Sequence, residues 1–297
     1  MKDLSTKQAD AMLFFVALLW GTGFTVTKIA LDVFSTVQLL FFRFFIAAIV
    51  SLIIFHKDMR KMNKSDLKAG IIMGIFLTLG YIFQTFGLEG TSAGKSAFLT
   101  GTNVVMVPFL AWFVSKKKPG KNNIIAAILM FLGIILLTVD FKNFGEFNVA
   151  DMLTFFCAIS FAWQIVATGI FSGDKNPYII STVQLSTCAV IFSVMMFFDK
   201  TPLHYTTTGA YSMVYLSIVT TLVCFLMQTI GQKYTSSSHA AIVLSLESVC
   251  GSVFGVMFLG EKYNYLMVIA FVVIFMSILI AEGGFDSFFN KRNLEIN

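Results

Sequence analysis

Long apolar runs, separated by a few polar or turn-forming residues, fill the chain from one end to the other. They cover approximately 10–29, 36–55, 67–88, 95–115, 122–140, 150–171, 178–198, 209–231, 239–259 and 265–282. Each is about 20 residues, the length at which a helix crosses a hydrocarbon core of about 30 Å. A helix satisfies its own backbone N–H and C=O groups, which a segment surrounded by lipid must do. The connections are short and carry turn formers such as Pro119-Gly120 and Asn176-Pro177. The pattern predicts an all-α integral membrane protein of ten transmembrane helices with almost no mass outside them. The first run is too long for a signal-peptide core and no small-x-small site follows it, so it is read as a retained span.

Composition agrees with that pattern. Hydrophobic residues make up 57% of the 297 and charged residues 12%, with a mean hydropathy of +0.82. A water-facing surface cannot be built from such a mixture. The net charge of +5 is informative through its placement along the chain rather than as a sign of nucleic acid. Of the 21 Lys and Arg residues, fifteen fall in the loops on the side of the N-terminus. Five (Lys28, Lys95, Lys142, Lys200 and Lys262) fall on the other side, and Arg43 lies inside a span. The positive-inside rule then predicts a multi-pass protein of the cell (inner or plasma) membrane with both termini cytoplasmic. Four cysteines sit in apolar segments without metal-site spacing and read as packing residues.

The chain also repeats itself. STVQL occurs at Ser35–Leu39 and at Ser181–Leu185, opening the second and seventh runs; QTFG at Gln84–Gly87 returns as QTIG at Gln228–Gly231. The 144-residue offset of the latter pair also aligns Thr91 with Thr235, Ser92 with Ser236, Ala97 with Ala241 and Asn103 with Glu247. Trp20 and Trp163 hold similar places in the first and sixth runs. Two halves are expected, 1–145 and 146–297, each of five helices. An odd number forces the second half to run upside down relative to the first, the plan of many secondary transporters. Loop charges agree: Lys117 aligns with Glu261, and the basic loop Lys57–Lys68 has the nearly uncharged counterpart Phe198–Thr208.

These features resemble the drug/metabolite transporter superfamily, and within it the EamA family. The residues that carry the resemblance are Trp20-Gly21, Arg43-Phe44, TSAGKSAFLTG at Thr91–Gly101, Pro108, Glu247 and LGEK at Leu259–Lys262. The likeness spans nearly the whole chain. One departure is Ser248, where the family often has Pro directly after the acid, so a kink there is expected to be absent or softer. The resemblance implies a carrier that exports amino acids, other metabolites or drugs, and it fixes transport better than substrate.

Candidate site residues follow from polarity inside apolar helices. Glu247 is an acid near the middle of a span, at a cost of roughly 2.5–3.5 kcal/mol if it faced lipid. It is a candidate proton carrier or cation contact; the alternative is a structural partner of Ser, Thr or Arg43. Arg43 is suited to a substrate carboxylate or to tying down backbone groups. Tyr81 with Gln84, and Phe225 with Gln228, are three residues apart and so share a helical face; an aromatic plus an amide suits an amphipathic pocket or an interhelical hydrogen bond. Trp20, Phe24 and Trp163 are candidates for stacking on a substrate or for plain packing, and Asn103 mirrors Glu247. Gly70/Gly74 and Gly251/Gly255 mark close helix contacts. Gly90–Ser96 imitates a phosphate loop but is one residue short and follows no strand.

The function expected is alternating-access transport of a small amphipathic metabolite, with a proton as candidate coupling ion and lipid as surroundings. Alternatives are an uptake or exchange carrier for a nucleobase-like or other metabolite, and a membrane channel. No cofactor and no nucleic acid partner is expected. Nor is an enzyme: His56, His204 and His239 lie near run ends, and no HExxH or GxSG occurs.

Overall fold

The computed structural model describes residues 4–116, 118–138 and 148–281. Among the described residues every regular element is a helix. The long ones are α1 (Thr6–Leu31), α2 (Thr36–Ile54), α3 (Lys64–Glu89), α4 (Ala93–Ser115), α5 (Lys121–Thr138), α6 (Val149–Ser172), α7 (Pro177–Phe198), α8 (Thr207–Gln232), α9 (Ser237–Leu259) and α10 (Tyr265–Ala281). Eight are long and apolar enough to cross a membrane; the described apolar stretches in α5 and α10, Ile124–Gly133 and Tyr265–Ser277, are shorter. Lys117, Lys142 and the boundary between the expected halves at 145/146 lie outside the described residues.

The helices begin where the chain offers caps. Ser5 and Ser35 accept from the backbone N–H of Gln8 and Gln38, whose side chains return the bond, and Asn63 and Asp66 do the same for α3. Asn176 caps α7 with Pro177 in the first turn, where a missing N–H costs nothing. The second STVQL copy therefore does not open its helix as the first does: Ser181 lies one turn inside α7. Gly260, at a φ of 65°, closes α9 in the left-handed conformation that glycine tolerates.

Two helices depart from regularity. α4 is interrupted at Thr102 between Ala93–Gly101 and Asn103–Ser115, with Pro108 in its second part; proline donates no hydrogen bond and crowds the carbonyl four residues back. α8 is a π-helix over Tyr215–Val223, a rare closure found mostly at functional places. α9 is unbroken through Glu247-Ser248, as the missing proline predicts.

The two halves interdigitate. The most extensive contacts are α3 with α6, α1 with both α9 and α8, α4 with α9, α5 with α10, and α7 with both α2 and α3, whereas helices of the first half touch one another sparsely. Neither half buries its own apolar faces. The outward surfaces carry residues such as Ile53, Phe113, Phe131, Phe197 and Val190, the sort of surface that lipid rather than water accommodates.

Candidate functional site

Where α1, α2, α3, α4, α6, α8 and α9 converge, they leave an internal cavity. Its volume is about 40 Å³. The space is narrow and suits a small molecule. Its lining includes Trp20, Phe24, Arg43, Tyr81, Gln84, Asn103, Phe225, Gln228 and Glu247, together with Thr27, Phe161, Gln164, Ile165 and Leu244.

The polar groups of this lining fall into two sets. In the first, the side chains are tied into one another and into α8 by hydrogen bonds. Arg43 Nε donates to Thr221 Oγ1 at 2.6 Å, and its Nη2 donates to Tyr81 Oη at 2.9 Å and Thr220 Oγ1 at 3.0 Å. The guanidinium lies 4.5 Å from the Tyr81 ring centroid, within cation–π range. Trp20 Nε1 donates to the Thr220 carbonyl at 2.9 Å. Both threonines belong to the π stretch of α8, which thus orients Arg43 and Trp20 together. Gln164 and Gln228 exchange amide hydrogen bonds at 3.1 and 3.2 Å.

The second set is unengaged. Glu247 is 6% exposed, and among the described residues it makes no hydrogen bond or ion pair; its reading as a partner of Arg43 does not match this geometry. Asn103, 5% exposed, leaves Oδ1 buried without a partner. Buried polar atoms left this way are costly, by about 1–3 kcal/mol even for neutral groups.

Trp163 sits elsewhere. It stacks on Phe76 with ring centroids 5.6 Å apart, meets Phe113 edge-on, and lines a separate groove with Phe109 and Trp112. Helical phase explains this: Phe161 and Gln164 are three apart and share the cavity face, while Trp163 is turned about 100° from Gln164. Sequence reasoning missed Phe161 and Gln164 because it paired tryptophan with tryptophan. The 144-residue offset pairs Trp20 with Gln164 instead. Four pairs at that one offset line the cavity: Trp20/Gln164, Tyr81/Phe225, Gln84/Gln228 and Asn103/Glu247.

The phosphate-loop lookalike also finds its explanation here. Ser92 caps α4, and the free N–H groups of Ala93 and Gly94 donate to the Glu261 carboxylate at 2.5 and 3.0 Å. The helix N-terminus is an anion site, and the chain fills it with its own anion. Nearby, the Tyr263 hydroxyl donates to Glu261 at 2.9 Å; burial and that carboxylate push the phenol's pKa up.

The EamA-like transporter family matches the chain twice, over residues 7–139 and 148–282. A transporter of Archaeoglobus fulgidus is 33% identical over 274 residues, covering 92% of this chain and 85% of its own length. The transporter YyaM of Bacillus subtilis is 23% identical, with 92% of each chain covered. A solved crystal structure shares the fold with a TM-score of 0.72 at 15% identity, covering 93% of this chain and 96% of its own.

Proposed function

Since the chain belongs to the EamA-like transporter family, it is a membrane transporter rather than an enzyme, and we propose that it is a secondary carrier working by alternating access on a small amphipathic metabolite. The single observation that carries this reading is the cavity lined by four repeat-related pairs, among them the unengaged Glu247 carboxylate and its mate Asn103, whose Oδ1 has no partner. Polar groups at the junction of two repeats are where such carriers hold their cargo. The family match over 7–139 and again over 148–282 supports two repeats, 1–145 and 146–297. The cross-half packing of α2 on α7, α4 on α9 and α5 on α10 is the self-pairing a twofold axis between them requires. Five spans per half, ten in all, make that axis lie in the membrane plane. The distribution of Lys and Arg supports cytoplasmic termini.

Within the cavity, Glu247 and the Asn103 carbonyl would accept hydrogen bonds from a substrate ammonium. Trp20, Phe24, Tyr81, Phe161 and Phe225 would cover its apolar part. An amino acid or a related amine has this shape, and export is the direction proposed. Proton coupling enters through Glu247: the carboxyl carries a proton in one direction and releases it for substrate.

Counterflow in proteoliposomes tests the reading. Preloading with unlabelled amino acids and amines should drive saturable uptake of the labelled compound. Flux that neither saturates nor shows counterflow would mean a channel. Unchanged pH dependence in Glu247→Gln would remove the proton from the mechanism while leaving the carrier.

A further inference from the structure

Two contacts between a carboxylate and a basic side chain stand at opposite ends of α1. Near its start Asp10 Oδ1 lies 3.0 Å from His239 Nε2, in the first turn of α9. Beyond its other end, Lys95 Nζ in the first turn of α4 lies 2.5 Å from Asp151 Oδ2 in the first turn of α6. Lys28, in the last turn of α1, donates to the Leu88 and Thr91 carbonyls at 2.6 and 3.0 Å, which fixes that end beside Lys95. Asp10 and Lys28 are 18 residues apart in one helix, roughly 27 Å at about 1.5 Å per residue. Trp20 and Phe24 of the cavity lie between them.

Lys95 and His239 are separated by the same 144 residues as the cavity pairs, and α4/α6 and α9/α1 are corresponding helix pairs. The carboxylates are not related by that offset, since Asp151 corresponds to Lys7 and Asp10 to Thr154, so a similar contact stands at each end of α1 with its acid supplied from a different position. We propose that Lys95–Asp151 and Asp10–His239 are the two gates of the carrier, and that the Lys95 gate is the stronger.

The strength difference has three sources. The Lys95 and Asp151 side chains are 17% and 4% exposed, those of His239 and Asp10 44% and 35%; charges shielded from water attract more strongly. The other Asp151 oxygen accepts from Thr91 at 3.0 Å, which aims the carboxylate. Glu261 holds the same first turn of α4 through the Ala93 and Gly94 N–H groups. The position 144 residues before Glu261 is Lys117, a cation that cannot accept from the N–H groups of α9. Two carboxylates therefore clamp the Lys95 mouth and one the His239 mouth. The carrier rests with the Lys95 mouth shut, and transport requires both clamps to release.

The inference rests on the two-mouthed carrier reading, but its test needs no substrate. A single reporter, Thr27→Cys in the cavity wall, is introduced into a chain whose four native cysteines, Cys157, Cys188, Cys224 and Cys250, are replaced by Ala. A membrane-impermeant maleimide is then applied separately to right-side-out and inside-out vesicles. In the parent, labelling should be faster from the His239 side. Lys95→Gln should raise labelling from the Lys95 side alone by about tenfold, within the range that such couplings span. Asp10→Asn should raise it from the opposite side alone, and by less. The exchange Lys95→Asp with Asp151→Lys should return the parent rate, which separates a lost gate from a misfolded chain. Labelling that rises equally from both sides, that does not change, or that stays high in the exchange variant would overturn the gates. Side-specific labelling in a protein without counterflow would keep the gates and discard the carrier reading; counterflow with unaltered labelling would do the reverse.

Discussion

Helices α4 and α9 hold corresponding places, yet one is broken and the other continuous. α4 is interrupted at Thr102, directly before its unengaged Asn103, and carries Pro108 five residues on. α9 runs from Ser237 to Leu259 without interruption and presents Glu247 in mid-course. The helix with the neutral amide has a broken backbone, and the helix with the acid has a continuous one. Duplication supplied the same scaffold twice; what distinguishes the copies lies at the cavity. Within this pair of helices, α9 carries a side-chain charge and α4 an irregular backbone.

The largest test of this contrast exchanges the chemistry. Glu247→Gln should lower counterflow by about 10- to 150-fold, the equivalent of losing about 1.5–3 kcal/mol of hydrogen bonding to a charged group. Asn103→Ala should cost about 2- to 12-fold, as for a neutral bond. Equal losses would make the two helices equivalent after all.

A second test moves to the contact between α3 and α7. A Cβ on Gly74 would come within 2.8 Å of the Gln184 carbonyl oxygen and 2.6 Å of Thr187 Cβ, whereas one on Gly120 would meet nothing within 4 Å. Gly74→Ala should therefore cost about 1–3 kcal/mol in thermal unfolding, as overpacking does. Gly120→Ala should stay within about 0.5 kcal/mol.

The two STVQL copies give a third. Ser35 caps α2, while the Ser181 hydroxyl is buried without a partner in α7. Ser35→Ala should cost about 1 kcal/mol, and Ser181→Ala should cost nothing or stabilise, because it removes a buried hydroxyl that has no partner.

The smallest effect concerns Asp199. Hydrogen bonds from Ser35 and from the Thr201 side chain and backbone hold its carboxyl pKa below the ordinary value. A depressed pKa in the folded state adds stability above the ordinary carboxylate range, about 4. That stability is lost as pH falls through the lower folded value. Asp199→Asn should lower the neutral plateau of a melting-temperature profile slightly and leave its acid end where it was, which flattens the acid limb.

Much of this architecture was legible in advance, because a membrane imposes its rule on every turn. Apolar runs located the long helices, with ends displaced by a few residues where Ser5, Asn63 and Thr206 supply caps. Residue spacing brought Tyr81, Gln84, Phe225 and Gln228 to one cavity. Trp163 went astray because chemical likeness was given more weight than helical phase; the offset that pairs Gln84 with Gln228 would have selected Gln164. The interruption at Thr102 and the π stretch of α8 left no signal in composition. Both are decided by which carbonyls neighbouring helices can use, and that appears only when the helices are packed together.

The π stretch has an evolutionary side. Over Tyr215–Val223 each backbone bond spans one residue more than in an α-helix, so this part of α8 holds surplus chain. In other spans, deleting one residue turns everything beyond it by about 100° and carries cavity residues towards lipid. Here a deletion can be absorbed by reverting to the tighter winding, and an insertion elsewhere in α8 can be taken up by lengthening it. A scan of single-residue deletions through the chain should find α8 the most forgiving helix in this segment, a reserve of slack from which new registers, and with them new cargoes, could be drawn.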